Sequence, residues 1–136
     1  MKTIKVSLVI LFLISVNLKG QNLIGSGEKE IRQYMSENQK SMTFQSFTNN
    51  NTFKYLKYTD NDETQTLLFF LNEQLVCKSV RIICDKSLKS EKVKEFNMLY
   101  KNTGENQWTE SKNGKRYLIE IKYDEWTFNV TFKLIE

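Results

Sequence analysis

The chain has 136 residues, 20 basic and 16 acidic side chains, and a formal net charge of +4 at pH 7. It contains no histidine, no proline and only two cysteines. Histidine is the commonest general base and the commonest metal ligand, so hydrolysis of the serine–histidine type and zinc chemistry are both disfavoured. None of the glycines has the spacing of a phosphate-binding loop. We therefore expect no nucleotide chemistry and no cofactor.

Residues 1–20 have the pattern of a signal peptide. Lys2 and Lys5 precede an uncharged, mostly apolar run at residues 6–16, which is shorter than the roughly 20 residues that span a bilayer. Gly20-Gln21-Asn22 resembles the signal-peptide ends of many exported proteins of the Bacteroidota. We expect cleavage near Gly20-Gln21, a periplasmic or secreted protein, and no stable membrane span afterwards. The alternatives are an uncleaved anchor or a buried apolar strand.

Processing changes the charge balance. Removing Lys2, Lys5 and Lys19 from the 20 basic residues leaves 17 against 16 acidic ones, a net charge of +1. No basic patch or stripe survives, so we expect no nucleic-acid partner. The remaining length suits one folded unit. We predict a flexible lead-in at residues 21–27 and a single domain at residues 28–136.

Two segments have helical spacing. The first covers residues 28–40, with Ser26 as a cap and an apolar stripe at Ile31, Tyr34, Met35, Asn38 and Met42. The second follows Ser87 or Ser90 and has its apolar face at Val93, Phe96, Leu99 and Tyr100. Lys101 and Gly104 are typical of its end. Both stripes are expected to pack on a sheet, and a partner-binding helix is the alternative for the first.

Four strands are predicted between the helices, at residues 43–48, 52–59, 66–71 and 75–85. The first two are rich in aromatic and β-branched residues and are separated by Asn49-Asn50-Asn51, a composition typical of turns. Residues 67–71 are apolar at every position. This run predicts a central strand that is covered on both faces, at least locally.

The last third predicts a register as well as strands. Asn113-Gly114 is a strong two-residue hairpin signal, which pairs Lys112 with Lys115 and Trp108 with Ile119. A second turn at Asp124-Glu125 pairs Ile119 with Val130, in a final strand that begins at Trp126. Both turns place the same alternate residues on one face, so a longer second loop of the same parity fits the pattern equally.

Together these elements predict an α+β fold: a two-layer sandwich with a mainly antiparallel sheet of about seven strands, in the order α-β4-α-β3, and helices mostly on one face. This order resembles that of small exported inhibitor domains such as the β-lactamase inhibitor protein, and that of secretion chaperones. The resemblance is one of architecture alone and implies no activity.

Cys77 and Cys84 fall in the same predicted strand. Seven residues of strand separate them by about 23 Å, well beyond the roughly 7 Å that a disulfide allows between Cα atoms, and an odd separation points them to opposite faces. We therefore expect both thiols to be free. The alternative is a turn at residues 78–81 and a bridge across a small hairpin.

Asp60, Asp62 and Glu63 resemble the opening of a calcium loop, but the glycine and the closing glutamate are replaced by Gln65 and Leu71. A solvated acidic loop is the expected outcome, and no metal site is predicted.

Aromatic residues are concentrated in the first two strands, and we predict a binding surface there. Its candidate residues are Phe53, Tyr55, Tyr58, Asp60 and Asp62. The alternative is that these rings belong to the core.

No catalytic residue is predicted. The function expected is a small binding or inhibitor-like module whose partner is a protein or a glycan of the cell envelope or outside it. A carrier of a small apolar ligand between helices and sheet is the alternative, and a carboxylate-based hydrolase is favoured less.

Overall fold

The structure is a computed structural model that describes residues 22–135. The predicted signal peptide and the first residue of the predicted lead-in lie outside the described residues. Within residues 22–135 there are two helices, α1 (Glu28–Asn38) and α2 (Lys89–Leu99), and a short 3₁₀ turn (Lys86–Leu88) precedes the second. The strands are β1 (Met42–Asn49), β2 (Lys54–Asp60), β3 (Gln65–Leu71), β4 (Cys77–Asp85), β5 (Lys101–Gly104), β6 (Gln107–Lys112), β7 (Lys115–Tyr123) and β8 (Thr127–Leu134).

All eight strands form one antiparallel sheet in the order β1-β2-β3-β4-β8-β7-β6-β5. The predicted α+β fold with an antiparallel sheet is confirmed, but in the described part of the chain the order is α-β4-α-β4 and the strand count is eight. The prediction missed β5. This strand has only four residues, and its sequence Lys-Asn-Thr-Gly has the composition of a helix end and a turn.

Residues 28–134 form two halves with the same arrangement of elements. Each half is a helix followed by a four-stranded antiparallel meander, and the halves meet where β4 pairs with β8. Seven residue pairs join these two strands, from Ser79↔Lys133 to Asp85↔Thr127. We call this central pairing the seam.

One face of the sheet carries the hydrophobic core, and we call it the inner face. Its buried side chains alternate along the strands: Leu56, Tyr58, Leu67, Phe69, Leu71, Cys77, Val80, Ile82, Cys84, Trp108, Tyr117, Ile119, Ile121, Phe128, Val130 and Phe132. Ile31 and Met35 of α1 and Phe96 of α2 are buried in the same cluster. Phe96 lies edge-on to Trp108, with ring centroids 5.3 Å apart.

The helix ends differ from the prediction. Gly27, not Ser26, is the cap of α1, and its N–H donates to the Glu30 carboxylate at 3.1 Å. Before α2, the Asp85 carboxylate accepts from the N–H of Ser87 at 3.0 Å and caps the 3₁₀ turn. The chain leaves α2 in an extended conformation at Tyr100, so Lys101 and Gly104 belong to β5 rather than to the helix end.

The Asn113-Gly114 hairpin is confirmed. Both turn residues have positive φ, 53° and 75°, and Trp108 pairs with Ile119 as predicted. The second turn is longer than predicted: residues 124–126 separate β7 from β8, and Tyr123 pairs with Phe128 across four residues instead of with Trp126 across two. Ile119 therefore pairs with Phe132 instead of Val130. The shift is two residues, which keeps the parity and therefore the predicted faces. Trp126 is not in the strand but lies in this turn, 76% exposed.

The apolar run in β3 is covered on one face only. Leu67, Phe69 and Leu71 are buried, whereas Leu68 and Phe70 on the other face are half-buried. The prediction of a strand covered on both faces is therefore wrong, and the sheet has a second face with apolar side chains at its surface.

Both cysteines are free, as predicted, and both are buried. Contrary to the prediction, they point to the same face of the sheet. A bulge at Lys78 is the reason, because Leu71 pairs with Cys77 while Phe70 pairs with Ser79. The extra residue reverses the alternation along β4. An odd separation along the sequence thus becomes an even one in the sheet.

The segment before α1 is tied to the β3–β4 turn. Gly25 donates its N–H to the Cys77 carbonyl at 2.8 Å, and Cys77 donates its own to the Ser26 carbonyl at 2.8 Å. Asn22 is buried, and its amide donates to Glu110 at 2.6 Å. Within the part that the structure describes, the predicted flexible lead-in is thus a hydrogen-bonded segment on the edge of the core.

The final strand allows a direct check of this core. Phe128 is fully buried, so Phe128→Ala should lower the free energy of unfolding by about 3–5 kcal/mol through the cavity that it leaves. Trp126→Ala, two residues away and exposed, should change it by less than about 0.5 kcal/mol. Chemical denaturation of both variants measures the difference. Equal losses would mean that the inner face is assigned to the wrong residues.

Candidate binding face

The face opposite the core is exposed to solvent, and we call it the open face. No described helix covers it, and each of its side chains is half-buried or exposed. Across its centre the cross-strand neighbours form the row Lys57, Leu68, Arg81, Thr131, Glu120 and Gln107. The neighbouring row is Tyr55, Phe70, Ser79, Lys133, Leu118 and Thr109.

Three aromatic residues gather at one end of the open face, and we call Phe53, Tyr55 and Phe70 the aromatic patch. The rings of Tyr55 and Phe70 meet edge to face with centroids 5.8 Å apart. The guanidinium of Arg81 lies over the Phe70 ring at 5.6 Å. Phe53, in the β1–β2 turn, is 54% exposed. The patch therefore offers aromatic surface together with a cation.

A cavity of about 210 Å³ lies beside the patch, where the β1–β2 and β3–β4 turns come together. Its lining includes Phe53, Phe70 and Lys78. Lys78 is the bulged residue of β4, so the same irregularity that reorients the cysteines places Lys78 in the lining of this cavity. The cavity lining thus combines two aromatic rings with Lys78 and with the ion pair of Lys54 and Glu73.

Hydrogen bonds fix the turn that carries Phe53. The Asn50 side-chain oxygen accepts from the N–H groups of Thr52 and Phe53 at 2.8 and 2.7 Å. Lys54 donates to the Asn50 carbonyl at 2.9 Å and pairs with Glu73 of the other turn at 3.5 Å. Asparagine is common in turns because its side chain can accept a hydrogen bond from the backbone two residues further along. The predicted Asn-rich turn is therefore a structured support for Phe53.

The open face next to the patch is positively charged. Lys57 and Arg81 lie on either side of Leu68 in the central row. The carboxylate in that row, Glu120, is separated from Arg81 by Thr131. An apolar side chain between two cations favours a partner surface that is apolar at its centre and acidic around it.

Of the predicted site residues, Phe53 and Tyr55 are in the aromatic patch and Tyr58 is not. Tyr58 points to the inner face, is 4% exposed, and packs edge-on against Phe44 and Phe69. Burial raises the pKa of its hydroxyl, and the nearby Arg32 only partly offsets this. The structure thus places Tyr58 in the core, as the alternative interpretation of the aromatic strands had it.

Asp60 ends β2 and Asp62 lies in the loop that follows, so Asp60 is about 23 Å from Phe53 at the usual rise of a strand. The Asp60 carboxylate closes the β2–β3 loop by accepting from the N–H groups of Thr64 and Gln65 at 2.7 and 3.0 Å. Burial tends to raise the pKa of Asp60, but these bonds and one from the Thr64 hydroxyl outweigh it, so the pKa is below its usual value. Asp60 is therefore occupied in holding its own loop.

Residues 22–135 contain no group of three or more acidic or cysteine side chains placed to hold a metal ion. The two thiols are chemically quiet as well. Burial raises the pKa of Cys77 to about 12 and that of Cys84 to about 11. Since the thiolate is the reactive form, both cysteines are protonated at neutral pH and serve as core residues.

Phe70, Leu68 and Arg81 are surface residues of the open face that were not predicted from the sequence. One signal was present, because a strand that is apolar at every position must present half of its side chains to its second face. We assigned that second face to a buried environment, whereas in the structure it is the open face. The placement of Lys78 had no comparable signal, since a bulge leaves no mark in a pattern of alternating residues.

The chain matches no protein-family model, no curated protein and no solved structure in the three comparisons made. Among residues 22–135, no helix has the length and apolar character needed to cross a membrane.

The loop role of Asp60 can be tested through its pH dependence. Asp60→Ala removes bonds to a charged acceptor and should lower the free energy of unfolding by about 2 kcal/mol at pH 7. Because the folded-state pKa is lowered, this stabilisation is present above the unfolded pKa of about 3.9 and is lost as the pH falls through the folded value. The difference between the two proteins should therefore shrink towards pH 2.

Asp62→Ala is the matched control, since Asp62 is exposed in the same loop. It should change the free energy of unfolding by less than about 0.5 kcal/mol. Urea titrations of the three proteins at both pH values provide the comparison. A loss in Asp60→Ala that is the same at pH 7 and pH 2 would contradict the role of the ionised carboxylate.

Proposed function

We propose that this protein is a small exported binding module of the inhibitor type, which holds a partner protein against its open face. One observation carries the proposal: one sheet face bears the whole described core, while the other presents aromatic and cationic side chains to solvent. An antiparallel sheet needs only one buried face in order to fold, so its second face can be polar throughout. Apolar and aromatic residues exposed together are typical of an interaction surface.

The composition of the patch supports a protein partner. Tyrosine, phenylalanine and arginine are enriched at protein interfaces, and tyrosine and arginine are common where one residue carries much of the binding energy. Phe70 has Tyr55 on one side and Arg81 over its ring. These contacts restrict the three side chains before a partner arrives, which lowers the conformational entropy lost on binding.

The charge of the open face narrows the kind of partner. Lys57, Arg81 and Lys78 surround the apolar positions of β2, β3 and β4. A partner with an acidic rim around an apolar centre complements this surface, and salt should weaken the association because exposed charges are screened. If the predicted signal peptide directs export, such a partner is in the cell envelope or outside the cell. In this account the helices form a second layer that supports the sheet from behind.

A carrier of a small apolar ligand is the second candidate. A cavity of about 290 Å³ lies between α1 and strands β1 and β2, lined in part by Met35, Met42 and Phe44. Its size is at the lower end of the range of about 300–1,000 Å³ that is usual for ligand sites, and Arg32 and Ser36 also line it. The observation favours this function less than the open face favours a protein partner.

Loss of the patch should weaken capture of the partner. We expect the immobilised protein to retain a protein from an envelope extract of the producing cell, and Tyr55→Ser with Phe70→Ser to weaken that capture at least 10-fold. A loss of about 1.4 kcal/mol in binding is enough for this factor, and central interface aromatics often contribute more. Band intensity at increasing salt measures both the loss and the expected electrostatic dependence.

Trp126→Ser is the control, because it removes an exposed aromatic ring at the opposite end of the sheet. Capture by this variant should equal that of the unmodified protein. Capture that survives the double substitution would refute the assigned surface. The protein could instead bind a saccharide on a glycan array and lose that binding with the same double substitution. That result would identify a glycan-binding module in place of a protein-binding one.

A further inference from the structure

The two outer strands of the sheet differ in how they present their free edges. β5 is four residues long, begins with Lys101, and is irregular in its pairing. Short length, lysine and irregularity are the usual means by which proteins prevent an edge from pairing with another chain. β1 has eight residues, Met-Thr-Phe-Gln-Ser-Phe-Thr-Asn, and no charged side chain. β5 thus combines all three features, whereas β1 shares the irregular pairing but has neither the short length nor a charged side chain.

The sequence of β1 is nearly the same in both directions. Residues 43–48 are Thr-Phe-Gln-Ser-Phe-Thr. If two copies of this strand pair antiparallel about a two-fold axis between Gln45 and Ser46, Thr43 faces Thr48 of the partner and Phe44 faces the partner's Phe47. Threonine pairs and aromatic pairs directly opposite each other are among the favourable cross-strand combinations.

A bulge makes this symmetry possible. In a regular strand Phe44 and Phe47 would point to opposite faces, because they are three residues apart. In β1 the register shifts between Phe44 and Ser46, so Phe44 lies opposite Tyr58 and Phe47 opposite Leu56, both on the inner face. Thr43 and Thr48 accordingly share the open face. Thr43 and its counterpart Thr48 thus share one face, and Phe44 and its counterpart Phe47 share the other.

The inner side of this edge is incompletely packed. Phe44 is 41% exposed. The guanidinium of Arg32 lies 4.5 Å from the Phe44 ring and 5.6 Å from the Phe47 ring, and fixes both beside the edge. The cavity of about 290 Å³ that is lined by Phe44 and Met42 lies next to them. An aromatic side chain from an added strand has both a ring to contact and space to enter.

We propose that the protein forms a two-fold symmetric dimer through its β1 edge, with a second copy of this chain as the occupant. Two eight-stranded sheets then join into one sheet of sixteen strands. A contact between identical surfaces is the usual form of a two-fold interface. Addition of a strand at a free sheet edge is an established mode by which one chain binds another. The axis is normal to the sheet, so both open faces point to the same side. The dimer is independent of the proposed function.

Sedimentation velocity of the mature protein tests the dimer. The contact area of one strand pair is small, so we expect a reversible monomer–dimer equilibrium between about 1 and 500 μM. Thr43→Lys with Thr48→Lys puts two pairs of like charges opposite one another and should shift the dissociation constant upwards by at least 10-fold. Thr103→Lys with Ser111→Lys adds the same charge near the β5 edge and should leave the equilibrium unchanged.

Two further variants make the result independent of any loss of stability. Thr43→Glu with Thr48→Glu should be monomeric alone and should form a heterodimer when mixed with the lysine variant. Thr43→Cys with Thr48→Cys should give a disulfide-linked dimer on mild oxidation, since the native thiols are buried. A monomer throughout the concentration range, or a dimer that keeps its dissociation constant in the lysine variant, overturns the proposal.

Discussion

The pairing of β4 with β8 is the contact on which the rest of the fold depends. It is the place where two helix-and-meander halves become one sheet. On its inner side Val80, Ile82 and Cys84 lie opposite Phe132, Val130 and Phe128, and all six side chains are buried. Because strand alternation is continuous through this seam, a single buried face extends across both halves and carries α1 and α2. The open face is the necessary other side of the same alternation.

Much of the C-terminal half was predictable because its signals are local. Asn113-Gly114 supports the positive φ angles of a tight hairpin, and the alternation of β7 and β8 then fixes which residues are buried. The longer turn at residues 124–126 changed the partners but not the faces, because the shift was even. The free thiols followed from strand geometry for the same reason. Strand length, residue spacing and side-chain alternation along one strand can be read directly from a sequence.

The failures have one physical origin, which is that they depend on neighbours far along the chain. The bulges at Lys78 and in β1 reverse the alternation, and they are defined only by the strand that lies alongside. β5 exists because β6 offers it an edge, although four polar residues have little tendency to form a strand on their own. Tyr58 and Tyr55 are both aromatic residues of β2, and only the position of the helices decides that Tyr58 is core and Tyr55 is surface.

The most direct test of the open face as the binding surface is site-specific photo-crosslinking in the producing cell. A photoreactive phenylalanine analogue at Lys57 lies in the central row of the open face, whereas the same analogue at Met98 lies on the exposed side of α2. We predict one discrete crosslinked protein from the Lys57 position and none from the Met98 position. A product from Met98 together with no product from Lys57 would show that the partner binds the helices, and would contradict the account.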